Sequence, residues 1–131
     1  MIIAIDFDGT CVTHEYPRIG VDIGAWPVIK ELGLNGHDII LLTMRSGNEL
    51  DEAVELFNKH SIQLYGINHN PTQHRWTTSP KVYAQLYIDD AALGCPLVRC
   101  EGRPFANWEA IRKILVEEGC ITKGSVDEDN S

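Results

Sequence analysis

The sequence predicts an α/β protein built on a mostly parallel five-stranded sheet with helices on both faces. Two observations carry that expectation. Short β-branched runs alternate along the chain with segments whose apolar residues recur at helical spacing. The acidic and hydroxyl residues best suited to chemistry come directly after those runs, where open α/β sheets collect their ligands.

Residues 2–5 are an unbroken apolar run of the kind buried on both faces, and Asp6-Phe7-Asp8-Gly9-Thr10 ends it in a polar turn. Residues 11–24 hold Pro17, Gly20 and Gly24 without periodicity, which reads as an irregular, flap-like loop or small hairpin. Pro27 suits a first helical turn, Val28, Ile29 and Leu32 follow at helical spacing, and Asn35-Gly36 stops the segment. Residues 38–42 form the second strand and Thr43 ends it. Ser46 is then placed to cap a helix with Leu50, Val54 and Phe57 on one face.

Residues 63–67 give a third strand, followed by a polar stretch from Asn70-Pro71 to Pro80. Residues 82–88 give a fourth, ending in Asp89-Asp90, and residues 96–100 a fifth. Residues 89–96 are too few for a crossover through a full helix, so the fifth strand is expected to be antiparallel or minimal. Asn107 caps a last helix with Trp108, Ile111 and Leu115 inward and a Glu109 to Lys113 pair outward, and Gly119 closes it. Residues 1–123 are expected to be one domain, and residues 124–131, with Asp127, Glu128 and Asp129, a flexible acidic tail.

The length of 131 residues fits one domain with a real core. A net charge of −8 disfavours nucleic-acid backbone and anionic lipid as partners. Runs such as residues 39–42 are far too short to span a bilayer, and the first residues lack the basic start of a secretory signal. Cys11, Cys95, Cys100 and Cys120 make no CxxC pair, which reads as reduced thiols in a cytoplasmic protein.

Asp6 and Asp8 stand two apart, so in an extended stretch both side chains leave on the same side. If they converge with Asp89 at ~5 Å, each pair repels by about 3 kcal/mol at an effective dielectric of 20. Such a cluster needs a cation, and oxygen-only ligands favour magnesium. Carboxylates holding a hard ion, the Thr43 hydroxyl and a cationic Lys81 together make a place for a phosphoryl group. No GxxxxGK[ST] loop is present, and an Asp nucleophile is the natural substitute.

In this order the residues resemble the haloacid dehalogenase-like hydrolase superfamily. Asp6-Phe7-Asp8-Gly9-Thr10 is similar to its first motif, Thr43 to its second, Lys81 to its third and Ile88-Asp89-Asp90 to its fourth, a match spanning residues 2–90. The resemblance implies a Rossmann-like α/β/α sandwich and magnesium-dependent phosphatase activity through an aspartyl-phosphate. It implies that Asp6 attacks phosphorus, and that Asp8 protonates the leaving oxygen and then activates water. The metal would be held by Asp6, the Asp8 main-chain carbonyl and Asp89, with Asp90 joining through water or orienting a neighbour. Thr43 and Lys81 would grip the phosphate of a phosphorylated substrate.

The stretches 11–42 and 44–80 leave little room for the cap domain usual in that superfamily, so a capless or minimally capped member is expected. Its open site would be covered by residues 11–24 or by a second subunit. Arg45 is a further candidate for substrate contact, Arg75 rivals Lys81 as the phosphate-binding cation, and Trp76 is placed to line the mouth. His14, His69 and His74 read as solvated loop histidines. Two other functions fit the same scaffold, a noncatalytic phosphate-binding or regulatory domain and a phosphotransferase. A response-regulator receiver needs its acceptor Asp after the third strand, and residues 65–68 offer none.

Overall fold

A computed structural model describes residues 1–122, so the stretch read as an acidic tail, residues 124–131, lies outside the described residues. β1 (Ile2–Ile5) has parallel neighbours on both sides, β2 (Asp38–Leu41) and β4 (Leu86–Ile88), while β3 (Leu64–Ile67) completes the order β3-β2-β1-β4. A strand flanked in this way is dry on both faces, hence its unbroken apolar run.

The sheet has four strands rather than the expected five. Residues 96–100 contribute only β5 (Leu97–Val98), which pairs antiparallel with β6 (Phe105–Ala106) in a separate hairpin. The link from β4 is too short for a crossover helix, so the chain turns back on itself. That hairpin braces the first turn of the chain: the Ala106 N–H donates to Gly9 O at 2.9 Å and the Trp108 indole to Thr10 O at 2.6 Å.

α1 (Ala25–Leu34), α2 (Gly47–Lys59) and α3 (Trp108–Glu117) all pack into one core with Ile3, Ile5, Ile39, Leu41 and Ile88. Alternation along the strands turns Ala4 and Ile40 to the other face, where Val82 and Ala84 meet them. Among the described residues the α-helices therefore lie on one face of the sheet, not on both as expected from sequence. The right-handed steps β1 to β2 to β3 run in one direction and keep α1 and α2 on one side. The return from β3 to β4 crosses the other side, and the polar stretch there, with Pro71 and Pro80, makes only a short 3₁₀ turn (Gln73–Arg75).

Asn107 accepts the Ala110 N–H at 3.1 Å and so caps α3, which buries Trp108, Ile111 and Leu115. Arg112 reaches across from α3 to grip Glu31 of α1 in a two-pronged pair at 2.8 Å. No helix among the described residues is long and apolar enough to cross a membrane.

Candidate active site

Strand register builds the centre of the site. Ile5 pairs with Ile88, both side chains lie in the main core, and the Asp6 N–H donates to Ile88 O at 3.0 Å. Alternation therefore turns the next residues, Asp6 and Asp89, to the opposite face on strands about 4.8 Å apart. Asp90 joins them, and one carboxylate oxygen from each of Asp6, Asp89 and Asp90 lies within 4.8 Å of the other two.

The buried Thr10 hydroxyl sits between two of these acids, 3.1 Å from Asp6 Oδ2 and 3.0 Å from Asp90 Oδ1, and its oxygen accepts the Asp90 N–H at 2.9 Å. One hydroxyl proton serves one carboxylate at a time, so Thr10 links the two acids. His14 Nε2 lies 2.8 Å from Asp90 Oδ2 with its side chain 14% exposed. His14 is thus part of the site rather than a solvated loop histidine. Both Asp90 oxygens have protein partners, which suits an orienting role, whereas Asp89 has one oxygen accepting from the Ala91 N–H at 2.9 Å.

Burial, and next the negative charge of Asp89, push the Asp6 carboxyl up from its usual 3.8 to about 7. The groups acting on Asp6 are Asp89, Asp90, Thr10 and the Phe7 N–H, none of them a cation. The donor set is oxygen only, hard and short of positive charge, and it fits a small divalent ion such as magnesium.

Asp8 does not join this cluster, contrary to the expected convergence of Asp6, Asp8 and Asp89. The strand ends at Ile5, and the N–H groups of Thr10 and Cys11 turn back onto Phe7 O at 3.1 and 2.8 Å, so extended alternation lapses before Asp8. Its two oxygens instead take Arg45 Nε and Nη2, each at 2.8 Å. Arg45 is itself buried, and its other donors reach Pro17 O at 3.2 Å, Arg18 O at 2.7 Å and Glu49 O at 3.3 Å. Its hydrogen bonds to Asp8 raise the guanidinium above its ordinary value. All five guanidinium donors are engaged, so Arg45 is corrected from a substrate contact to an internal partner of Asp8.

Thr43 follows the end of β2, where its N–H donates to Asn68 Oδ1 at 2.8 Å and its hydroxyl oxygen accepts the Arg45 N–H at 3.1 Å. Lys81 is exposed and rests its ammonium 5.7 Å from the Tyr87 ring centroid. Arg75 is exposed at the end of the 3₁₀ turn, and Trp76, 63% exposed, stands edge-on to Tyr83. A cavity of about 560 Å³ lies at the other end of the sheet, among Gly36, Asp38 and Leu64, away from these acids.

No protein-family model matches the chain, and no curated protein matches it. A solved structure described as that of a conserved protein coded by a locus from Bacteroides thetaiotaomicron is 38% identical, with a TM-score of 0.74 over 90% of this chain and 91% of that one. With that identity maintained over nearly the whole of both chains, this chain belongs to the same family as the conserved Bacteroides thetaiotaomicron protein.

Proposed function

We propose that the protein is a magnesium-dependent phosphatase of the haloacid dehalogenase-like type, hydrolysing a phosphomonoester through an aspartyl-phosphate on Asp6. The observation that carries this reading is the gathering of Asp6, Asp89 and Asp90 oxygens within 4.8 Å of one another, beside an Asp-x-Asp-Gly-Thr turn. The order β3-β2-β1-β4 supports placing the sheet among Rossmann-like folds. Reduced thiols and a cytoplasmic setting go with the same reading.

Asp6, Asp89 and the Asp8 main-chain carbonyl would hold the ion, with Asp90 kept in line by Thr10 and His14. Magnesium bound there would supply charge neutralisation to the cluster and to the phosphoryl oxygens. The Asp6 carboxylate attacks phosphorus, and its new P–O bond forms as the bond to the leaving oxygen breaks. Asp8, entering the step as the neutral acid, gives that oxygen its proton and is then restored by the proton it takes from the water that cleaves the acyl phosphate. Thr43 keeps its hydroxyl proton for a phosphoryl oxygen, since its own oxygen is the acceptor for Arg45. Lys81 contributes its charge by leaving the Tyr87 ring. The 11–24 segment, or a second subunit, would cover the open site.

Turnover of p-nitrophenyl phosphate tests the reading. Asp6→Asn is expected to lower kcat roughly 10³-fold or more and Asp8→Asn roughly 10²- to 10⁴-fold, and metal omission to abolish turnover. Unchanged activity in Asp6→Asn refutes the covalent route.

A further inference from the structure

We infer that Arg45 is the positioning residue of the site, fixing the Asp8 carboxylate and pinning the 11–24 segment through the same guanidinium, so that acid and cover move as one unit. The catalytic half of this inference rests on the phosphatase reading, and the mechanical half on geometry alone.

Arg45 is 2% exposed, with a side chain that is wholly buried against a partly exposed Asp8. An arginine this buried is retained only where its donors are all met, and here they are met from three parts of the chain. Two go to Asp8, two to the carbonyls of Pro17 and Arg18, and one to Glu49 in the first turn of α2. Phe7 and Tyr16 close over the guanidinium, with ring centroids at 5.0 and 5.1 Å. Taking both prongs of a planar fork stops the Asp8 carboxylate from rotating, and it leaves a lone pair on each oxygen for the proton it must pass.

The 11–24 segment is anchored at its two ends, where Cys11 and Val12 are buried, Ile23 packs on the core and Val12 bridges Asp22, and its outer turn has fewer fastenings. The Thr13 N–H donates to Val21 O at 3.1 Å, the Val21 N–H to Thr13 Oγ1 at 2.8 Å and the Arg18 N–H to Glu15 O at 2.9 Å. Tyr16 and Val21 are 61% and 67% exposed, so among the large apolar side chains of its outer part only Ile19 packs against the core. His14 holds the segment to Asp90 at 2.8 Å, and at its outer turn the carbonyls of Pro17 and Arg18 are tied down by Arg45.

The test compares wild type with Arg45→Lys, which keeps the charge without the fork, and Arg45→Gln. Hydrogen exchange is read at the Thr13, Arg18 and Val21 amides against the Ile111 amide of α3, bonded to Asn107 O at 2.9 Å. Both variants are expected to speed exchange in the 11–24 segment by about tenfold or more beyond any change at Ile111. An equal or larger change at Ile111 means that Arg45 serves only global stability, and it overturns the inference. So does a wild type whose Thr13 and Val21 amides exchange like those of an open loop, a measurement that needs no variant to fold.

Activity supplies the second readout. In Arg45→Lys, kcat for an alkyl phosphate, whose leaving oxygen must be protonated, is expected to fall roughly 10- to 100-fold more than kcat for p-nitrophenyl phosphate, with KM nearly unchanged. Equal losses on the two substrates contradict the positioning role. A wild type that hydrolyses neither substrate refutes the proposed function instead, and the exchange rates still decide whether Arg45 is the tie.

Discussion

Gly9 carries more of the site than its lack of a side chain suggests. Its φ of +81° lies in the left-handed region, and a Cβ built on it would overlap the His14 ring and the Asp90 carboxylate. Alanine there meets both penalties, the strained backbone and the displaced neighbours. Gly9→Ala is expected to cost about 1–3 kcal/mol in urea unfolding and, on the phosphatase reading, to weaken magnesium binding roughly tenfold by displacing Asp90. Gly33, inside α1 with nothing within 4 Å of its added Cβ, is the control. Gly33→Ala should stabilise by up to about 1 kcal/mol and leave binding alone. Equal effects at the two positions would remove the close approach from the account. Thr10 and His14 escaped selection from sequence for a related reason. Their partner Asp90 is 80 and 76 residues away, and nothing in the local pattern around residue 10 or 14 announces it. The D-G-T spelling of the turn was the one available signal for Thr10.

Among the elements, the crossover from β3 to β4 does without a helix and is knitted by side chains instead. The Gln73 amide donates to Ser79 O at 3.1 Å and Lys81 O at 2.9 Å and accepts the Tyr83 N–H at 2.8 Å, while Asn70 donates to Tyr83 O at 3.0 Å. These bonds hold Val82 and Ala84 over Ala4 and Ile40, the face that no α-helix of the described residues covers. Gln73→Ala is expected to lose about 1–3 kcal/mol, with faster exchange at the Tyr83 amide. Gln73→Glu should be no better than alanine, because a carboxylate cannot donate to two carbonyls. Urea midpoints equal to wild type in both would show that burial of Val82 and Ala84 suffices. The same elements show what local pattern can specify. β1, β2 and α3 were legible because β-branched runs, a capping Asn and an apolar helical stripe are local signals. The minimal, antiparallel character of Leu97–Val98 was legible from the short 89–96 link, but its partner Phe105–Ala106 was not, since two-residue strands carry no period. Nor was the one-sided placement of the helices, which depends on strand order and not on any single segment.

At the scale of the whole molecule, the acid cluster ties folding to pH and, on the phosphatase reading, to metal. Asp6 titrates near 7 in the folded protein against an ordinary 3.8, so between those values the unfolded chain has released a proton that the native state still holds. The contribution of Asp6 to metal-free stability is therefore full below pH 4 and is lost as pH rises through 7, with a slope of at most about 1.4 kcal/mol per pH unit. On the proposed reading, magnesium would reverse the trend. It would compete with the proton on Asp6, so its apparent affinity should fall as pH drops below 7, and saturating ion at about 100 times its dissociation constant would add about 2.7 kcal/mol. Thermal unfolding from pH 5 to 8 should accordingly show Tm without metal declining toward pH 8 and the gap opened by magnesium widening over the same interval. Asp6→Asn should raise the metal-free Tm at pH 8 and shrink that gap, because it removes the repulsion and a ligand together. A gap that stays constant across this range in wild type would mean that the ion and the Asp6 proton do not share a site. A Tm at pH 8 lower in Asp6→Asn than in wild type without metal would mean that Asp89 and burial do not strain the folded state through Asp6.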